Sequence, residues 1–213
     1  MEAAAIRLAA PLAATRPLVA LVLLLSCSTA GISTASACEL SLVAPTRSAL
    51  KNPVEVHTSL AGDVLIARFS VTSSSINAKR ELGPGEHPYQ YDVVEVFATF
   101  SERGFPYFEF EVSPYNQTFQ VRINDPKQHQ EGVDLGLTST AEIAKGGWTA
   151  QLKIPLKALG WDGDPGKIRG NLYSVLGQAK KRSYWSAFLP KAARPNFHQV
   201  EYFKPLLQCA PAA

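Results

Sequence analysis

The 213-residue chain carries 21 Lys and Arg against 18 Asp and Glu, so its formal net charge is only +3. This weak balance, without a dense basic run, argues against nucleic acid as a partner. The three charges of Lys180, Lys181 and Arg182 are interpreted as a solvated turn.

An export signal is predicted over residues 1–37. Arg7 and Arg16 form its positive region, residues 18–25 its apolar core, and Ala35-Ser-Ala37 a cleavage site of the A-x-A type. The apolar run is shorter than the about 20 residues that cross a bilayer, and no later segment reaches that length. We therefore expect an exported protein, periplasmic or extracellular, with no membrane span.

An alternative for the N-terminus stays open. Leu24-Leu-Ser-Cys27 resembles a bacterial lipobox, which would place a lipid anchor on Cys27. With cleavage after Ala37, the mature chain keeps 176 residues and a net charge of +2. That is the length of a single domain.

Two cysteines remain in the mature chain, Cys38 and Cys209, near its opposite ends. In an oxidising compartment such a pair is expected to close into a disulfide. We predict that this bridge joins the first and last strands, with a stabilisation of roughly 4–5 kcal/mol in the entropic model. No C-x-x-C motif occurs, so we interpret the cysteines as structural.

A three-stranded antiparallel meander is predicted within residues 89–123, where three runs alternate apolar and polar residues at period two. Turn-forming residues at 101–104 and 113–116 separate the runs. The apolar face is expected to carry Phe108, Phe110, Val112, Phe119, Val121 and Ile123. The charged face is expected to carry Tyr107, Glu109, Glu111, Gln120 and Arg122.

The rest of the mature chain also has a β pattern. Strands are predicted at 52–60, 64–71, 133–138, 148–154, 170–176, 183–188 and 201–207, with long polar loops at 73–88 and 125–132. A helical turn is predicted at 155–159 and tight turns at 62–63 and 162–166. Since no segment sustains helical periodicity, the fold class is all-β, an antiparallel β-sandwich.

Six short motifs occur in a fixed order. They are Tyr-Asp-Val-Val-Glu-Val-Phe (91–97), Tyr-Phe-Glu-Phe-Glu-Val (107–112), Gly-Trp…Ile-Pro-Leu (147–156), Gly-Asn-Leu-Tyr (170–173), Tyr-Trp-Ser (184–186) and Asn-Phe-His…Phe (196–203). With these motifs the mature chain resembles the family 9 carbohydrate-binding modules and their DOMON-like relatives. The resemblance implies an immunoglobulin-like β-sandwich that binds the ends of polysaccharide chains.

The resemblance also implies where a sugar would bind. The family clamps the sugar between two aromatic side chains, and the matching positions here are Tyr89, three residues before Asp92, and Phe197. For Phe197, core packing is the other interpretation. The sugar-contacting arginine of the family matches Glu111, so the polar part of the site differs.

Further ligand contacts are expected from side chains of the predicted strands. Polar candidates are Asn116, Gln120, Arg122 and Glu111. Trp185 alternates with Tyr184, so one of the two faces the interior, and Trp185 is retained as a candidate for ligand contact. Trp148 and Trp161 are interpreted as structural.

An enzymatic alternative rests on Glu95, Glu109 and Glu111. Glycosidases use two carboxyl groups about 5–5.5 Å or 6.5–9.5 Å apart, and residues two apart on a strand lie about 7 Å apart. However, we expect Arg122 to neutralise one carboxylate across strands. The sequence also lacks a nucleophile elbow and an H-E-x-x-H motif. We therefore predict no enzyme.

Cofactor alternatives are few. Haem would need a pair among His57, His87, His129 and His198, because the only methionine, Met1, leaves with the signal. Calcium occurs in the resembled family and would find oxygen ligands at Asp162 and Asp164. Asn116-Gln-Thr118 matches a glycosylation sequon.

The sequence thus predicts an exported, non-catalytic carbohydrate-binding domain at 38–213. An envelope structural or interaction module of the same fold, without the sugar site, is the alternative. The orientation of Glu111 separates the two, because a cleft at Glu111 favours ligand binding.

Overall fold

The computed structural model describes residues 38–44, 51, 53–191 and 196–207, all within one compact unit, Ser33–Ala213. The predicted signal peptide, Cys27 and Cys209 lie outside the described residues, so those predictions stay open. Among the described residues, no helix has the length and apolar character that crossing a bilayer requires.

Twelve strands are assigned in the described part of the chain: β1 Cys38–Ser41, β2 Val54–Ala61, β3 Val64–Thr72, β4 Val93–Thr99, β5 Tyr107–Val112, β6 Thr118–Asp125, β7 Gln128–Glu131, β8 Thr138–Ala144, β9 Gly147–Pro155, β10 Arg169–Leu176, β11 Ser183–Ser186 and β12 Lys204–Pro205. Short 3-10 helices span Pro88–Gln90, Leu156–Leu159, Pro165–Lys167, Ala179–Lys181 and Val200–Tyr202.

The strands form two antiparallel sheets. The first has the order β1-β2-β3-β9-β8 and the second β11-β10-β4-β5-β6-β7, with β12 added to β10. Between the sheets lies a core that includes Leu65, Phe69, Trp148 and Leu152 from the first sheet and Val94, Val96, Phe108 and Phe110 from the second. The predicted all-β sandwich is confirmed.

The outer face of the second sheet is also covered. A second apolar cluster lies there, formed by Phe97, Tyr107, Val121, Ile123, Tyr173, Leu189 and Phe203. The segment 196–203 packs against this face through Phe197, Val200 and Tyr202. Every residue of β4 and β5 is therefore buried, although the alternating pattern predicted strands that are buried on one face only.

The register of β5 and β6 corrects the predicted distribution of residues over the two faces. Phe119 pairs with Glu111 and Val121 pairs with Glu109, while Arg122 pairs with Phe108. Residues directly opposite each other in an antiparallel pair point to the same side. The expectation that the apolar residues of β6 face the core with Phe108 is therefore wrong, because the register brings them to the side of the glutamates.

Two other predictions fail in the segment 125–144. Residues 128–131 form the strand β7 instead of a loop, and residues 133–137 are not a strand, since β8 begins only at Thr138. Both strands lie at sheet edges and are mostly exposed. An edge strand without a buried face carries little periodic signal. The turn at 62–63 is confirmed, with Gly62 at φ 61°.

Gly170, which opens the motif Gly-Asn-Leu-Tyr, permits a close approach of two backbones. A Cβ atom there would lie 1.8 Å from the carbonyl oxygen of Phe97. Only glycine allows β10 to lie so close to β4. This contact holds β10 close to β4, and both strands carry residues of the candidate site.

Candidate functional site

A cavity of about 360 Å³ opens on the outer face of the second sheet. Its size falls in the range of about 300–1,000 Å³ that is typical of ligand pockets. Its lining combines aromatic rings with acidic, basic and amide side chains: Tyr89, Glu95, Phe97, Glu109, Phe119, Val121, His129, Glu131, Val175, Arg182, Tyr184, Asn196, Phe197 and His198.

The sheet supplies the floor of this cavity through residues that lie opposite each other on neighbouring strands. One row across β10, β4, β5 and β6 consists of Tyr173, Glu95, Glu111 and Phe119. The next row across β4, β5, β6 and β7 consists of Phe97, Glu109, Val121 and Glu131. Glu95, Glu109 and Glu131 of these rows line the cavity, whereas Glu111 and Tyr173 are fully buried and do not line it.

Three carboxyl groups of the floor are withdrawn from water. Glu111 is fully buried, and Glu95 and Glu109 are 2% and 8% exposed. Burial raises the pKa of Glu95 and of Glu111 well above the ordinary value, and the charges of neighbouring carboxylates add to this rise. Burial also raises the pKa of Glu109, to about 7. Glu95 and Glu109 line the cavity, and without a cation beside them such buried carboxyls hold their protons to higher pH than an exposed carboxyl does.

One aromatic wall stands beside Glu111. The ring of Tyr89 stacks on His87 at 5.2 Å and meets Phe119 edge-on at 6.0 Å. Pro88 is buried and begins the 3-10 turn that presents Tyr89, whose side chain is 40% exposed. The backbone N–H of Tyr89 donates a 3.1 Å hydrogen bond to Oε2 of Glu111, which fixes the turn to the floor.

The other aromatic wall stands beside Glu95. Phe197 stacks on Tyr173 with ring centroids 4.1 Å apart, and the Tyr173 hydroxyl donates to the carbonyl oxygen of Phe197 at 2.8 Å. The ring of Tyr184 meets Phe197 edge-on at 6.1 Å. Tyr173 and Phe119 are three strand spacings apart, about 14 Å along the sheet. Tyr89 and Phe197 therefore belong to opposite walls of one cavity.

Asp92 connects the loops that carry the two walls. Its buried carboxylate accepts hydrogen bonds from the N–H of Asn77 at 2.9 Å and from the N–H of Gly177 at 2.6 Å. The side-chain amide of Asn77 in turn donates to the carbonyl oxygen of Gly177 at 3.1 Å. Asp92, the second residue of the motif at 91–97, thus holds the loops 73–88 and 177–182 against the start of β4.

Arg182 is a site residue that the sequence analysis missed. The turn after β10 was interpreted as solvated, but Arg182 lines the cavity and donates a hydrogen bond to the carbonyl oxygen of Tyr89. Its guanidinium lies 5.5 Å from the centre of the Tyr184 ring, and its buried Nε has no hydrogen-bond partner. A positive φ of 49° at Ala179 forms the turn that directs the chain back to the sheet. No local pattern distinguishes this arginine from a solvated one.

Trp185 lies in the core between the sheets and not in the cavity. It is 3% exposed, and its Nε1 donates to Ser183 Oγ at 3.0 Å. Its neighbour Tyr184 lines the cavity instead, as the alternation along β11 requires. The prediction that one of the two faces the interior is confirmed, and the expected ligand contact of Trp185 is wrong.

None of the four polar candidates lines the cavity, since Glu111 is fully buried beneath the Tyr89 turn and the other three lie elsewhere. Arg122 stacks over Phe108 at 5.7 Å and donates to Asn124, so it does not neutralise the glutamates as expected. The Asn116 side chain bonds Ser139 on β8, with its Oδ1 accepting from the hydroxyl at 2.8 Å. Gln120 accepts hydrogen bonds from the N–H of Leu135 and of Leu137. The register of β6 explains the position of Arg122 and Gln120.

The proposed metal ligands have other partners. Asp162 forms an ion pair of 2.5 Å with Lys167, and Asp164 accepts from the N–H of Gly166 at 2.8 Å. His129 and His198 stack at 6.1 Å beside the cavity, where His198 Nδ1 lies 2.6 Å from the Tyr107 hydroxyl. Among the described residues, no group of three or more His, Cys, Asp or Glu is placed to hold a metal ion.

Sequence comparisons find distant relatives. No family model matches the chain. An "Extracellular protein" of Arthroderma benhamiae is 29% identical over 138 residues, and the UPF0462 protein C4orf33 homolog of Rattus norvegicus is 26% identical over 129 residues. These matches cover 56% and 57% of this chain. The chain spans 61% of the length of each of these curated relatives.

Solved structures share the architecture. A Bacteroides uniformis protein, provisionally described as carbohydrate-binding, superimposes with a TM-score of 0.66 at 18% identity, over 79% of this chain and 84% of that chain. A family 9 carbohydrate-binding module of Caldicellulosiruptor kristjanssonii in complex with cellotriose gives a TM-score of 0.52 at 15% identity, over 80% of each chain. The fold is that of a family 9 carbohydrate-binding module. The resemblance inferred from the six motifs is thereby confirmed for the fold.

A structure of a C. kristjanssonii family 9 module in complex with glucose also superimposes on this chain, with a TM-score of 0.52 at 15% identity over 79% of this chain and 81% of that chain. At identities of 15–18% the likeness concerns the fold. Function must therefore be argued from the cavity of this chain.

Proposed function

We propose that this protein is an exported, non-catalytic carbohydrate-binding module that holds a sugar between Tyr89 and Phe197. The single observation that carries the proposal is that these two residues, which are far apart in sequence, both line one cavity. Pyranose rings present an apolar C–H face that packs on aromatic rings. The carboxyls, Arg182 and Asn196 supply hydrogen-bonding groups for the hydroxyls.

Glu111 supports the proposal only through Tyr89. It is fully buried and is not part of the cavity lining. Its carboxyl accepts a hydrogen bond from the backbone N–H of Tyr89 and so holds the turn that presents the ring. The cavity beside this turn is what supports ligand binding over a purely structural module.

Catalysis is not part of the proposal. Glu111 is covered by the backbone of Tyr89, so it cannot approach a glycosidic bond without displacement of one aromatic wall. The solved modules of the same fold are named for binding and not for hydrolysis. Incubation with polysaccharides should release no reducing sugar, and release that disappears in Glu109→Gln would overturn this part of the proposal.

Export is proposed from the predicted signal over 1–37 and from the name of the A. benhamiae relative. Mass spectrometry of the protein recovered from its native host tests this directly. A mass that corresponds to a chain starting at Cys38 is expected. A diacylglyceryl mass on Cys27 would indicate the lipoprotein, and an intact chain beginning at Met1 would contradict export.

A glycan array with the purified protein, with and without calcium, tests the binding function. We expect binding to a defined class of sugars and its loss in Tyr89→Ala and Phe197→Ala. If a protein shown to be folded binds no glycan of the array, the proposal is overturned in favour of the interaction module.

A further inference from the structure

The carboxyl groups beneath the cavity form no ion pair within the described part of the chain. The ion pairs found among the described residues all lie away from the cavity: His57–Glu39, Lys79–Glu86 and Lys167–Asp162. Arg182 lines the cavity but donates to the carbonyl oxygen of Tyr89 and not to a carboxylate. Glu95, Glu109 and Glu111 are therefore buried together without a matching charge.

This arrangement is costly for the folded protein. Glu95 and Glu111 are direct partners across β4 and β5, and like charges at such positions repel each other. Unpaired buried charges also lose their hydration. The exposed Glu131 adds a further carboxylate at the rim. With a single guanidinium against these acids, the cavity favours a positively charged occupant.

Two further features indicate the kind of cation. Glu95 lines the cavity and is 2% exposed, and its carboxyl group forms no hydrogen bond or ion pair with the described residues. Tyr89, Phe97, Phe119 and Phe197 line the same cavity and offer ring faces that attract ammonium groups. A divalent metal fits less well, because the described residues include no group of three or more ligands placed to hold one.

We propose that the cavity binds an amino sugar of the glucosamine type, whose protonated amine is held by Glu95 and Glu109 while its ring packs on the aromatic walls. An ammonium offers three donors and no acceptor, which matches a site of carboxyl oxygens. This inference rests on the proposed carbohydrate-binding function and narrows its ligand. Arg182 then contacts a hydroxyl, since its Nε is a free donor.

The test compares glucosamine oligosaccharides with N-acetylglucosamine oligosaccharides of equal length. N-acetylation keeps the ring and removes the charge, so the pair isolates the amine. Isothermal titration calorimetry with the purified protein at pH 7 should show at least roughly tenfold tighter binding of the free amine, about 1.4 kcal/mol. The preference should shrink in 0.5 M salt, because a charge interaction is screened.

A variant locates the interaction. Glu95→Gln keeps the shape of the side chain and removes its charge, so it should reduce the preference for the amine about tenfold or more. Glu142→Gln, at an exposed position on β8 of the other sheet, should leave the preference unchanged.

The outcomes separate this inference from the function on which it rests. Equal binding of both oligosaccharides, or tighter binding of the acetylated one, overturns the proposed recognition of the amine. The proposed carbohydrate binding then still stands. Stoichiometric calcium binding that is lost in Glu95→Gln also overturns it, since the carboxyls would then hold a metal. Silence toward all sugars from folded protein contradicts both.

Discussion

The backbone N–H of the exposed Tyr89 donates a 3.1 Å hydrogen bond to Oε2 of the fully buried Glu111. The position at which the resembled family contacts sugar with an arginine is thus occupied by a residue that holds one aromatic wall in place. Arg182 reaches the same turn from the segment between β10 and β11 and donates to the carbonyl oxygen of Tyr89. In this chain, the Tyr89 turn is therefore positioned by one carboxyl and one guanidinium.

Removal of the Tyr89 ring should affect binding far more than stability. Because the side chain is 40% exposed, Tyr89→Ala removes little core packing. We expect glycan affinity to fall at least tenfold, about 1.4 kcal/mol, with a small change in Tm. Tyr115→Ala is the control, since Tyr115 lies outside the cavity lining, against Arg80. Equal affinities of the two variants would refute the clamp.

Loss of the carboxylate of Asp92 should weaken both stability and binding. Asp92→Asn can accept from only one of the two N–H groups of Asn77 and Gly177 that the carboxylate now satisfies. A buried unsatisfied donor costs about 1–3 kcal/mol. Urea unfolding should show this loss, and ligand affinity should fall because both loops loosen. A variant as stable as the wild type would contradict the structural role of Asp92.

Substitution of Arg182 should weaken ligand binding, whereas substitution of its neighbour Lys181 should leave ligand binding unchanged. Arg182→Ala removes the donor to Tyr89 and a positive charge that opposes the upward shift of the Glu95 pKa, which burial causes first. We expect at least a tenfold weaker affinity by titration calorimetry, about 1.4 kcal/mol. Lys181→Ala, at an exposed position, is the matched control. If the turn were solvated, the Arg182→Ala and Lys181→Ala variants would bind the ligand with the same affinity.

Stability should decrease as the pH rises through the titration range of Glu109. Burial raises its pKa to about 7 in the folded state, so between about pH 4.5 and 7 the unfolded chain releases a proton that the folded protein retains. The free energy of unfolding then falls with increasing pH. Glu95 and Glu111, whose pKa values burial also raises, extend this fall to higher pH.

Thermal unfolding of Glu109→Gln against the wild type tests this pH dependence. The variant carries no titrating group at this site, so its Tm should change less between pH 4.5 and 7. Glu142→Gln should retain the wild-type profile. An unchanged slope in Glu109→Gln would show that this carboxyl does not titrate in the expected range.

The bridge between Cys38 and Cys209 stays a prediction, because Cys209 lies outside the described residues. Cys38 is buried and is the β-sheet partner of Thr58, whose hydroxyl donates to the carbonyl oxygen of Leu206 at 2.5 Å. Cys209 follows three residues later, within about 10 Å of chain. Reduction, or Cys38→Ser, should lower the stability by up to roughly 4–5 kcal/mol. Equal Tm values with and without reductant would exclude a stabilising bridge.

Local sequence patterns predicted most of the strands, and the resemblance to family 9 modules indicated Tyr89 and Phe197, both of which line the cavity. Alternation at period two is a property of each strand by itself, so the strands at 91–98 and 148–154 were predicted without knowledge of their neighbours, and they correspond to β4 and β9. The pairing register of β5 and β6 was not predicted, because it depends on which residue of β6 lies opposite Glu111. That register places Phe119 beside the carboxyls and Arg122 on the other side.

The tertiary structure also decided which faces are covered. The alternation of Tyr184 and Trp185 shows that they point in opposite directions, but only the packing of β11 against Val43 and the core shows that Trp185 points inward. Arg182 belongs to the site because the turn after β10 returns it to Tyr89, a contact between residues 93 positions apart. Such contacts have no local signature, since they arise from packing between distant segments and not from the preferences of either one.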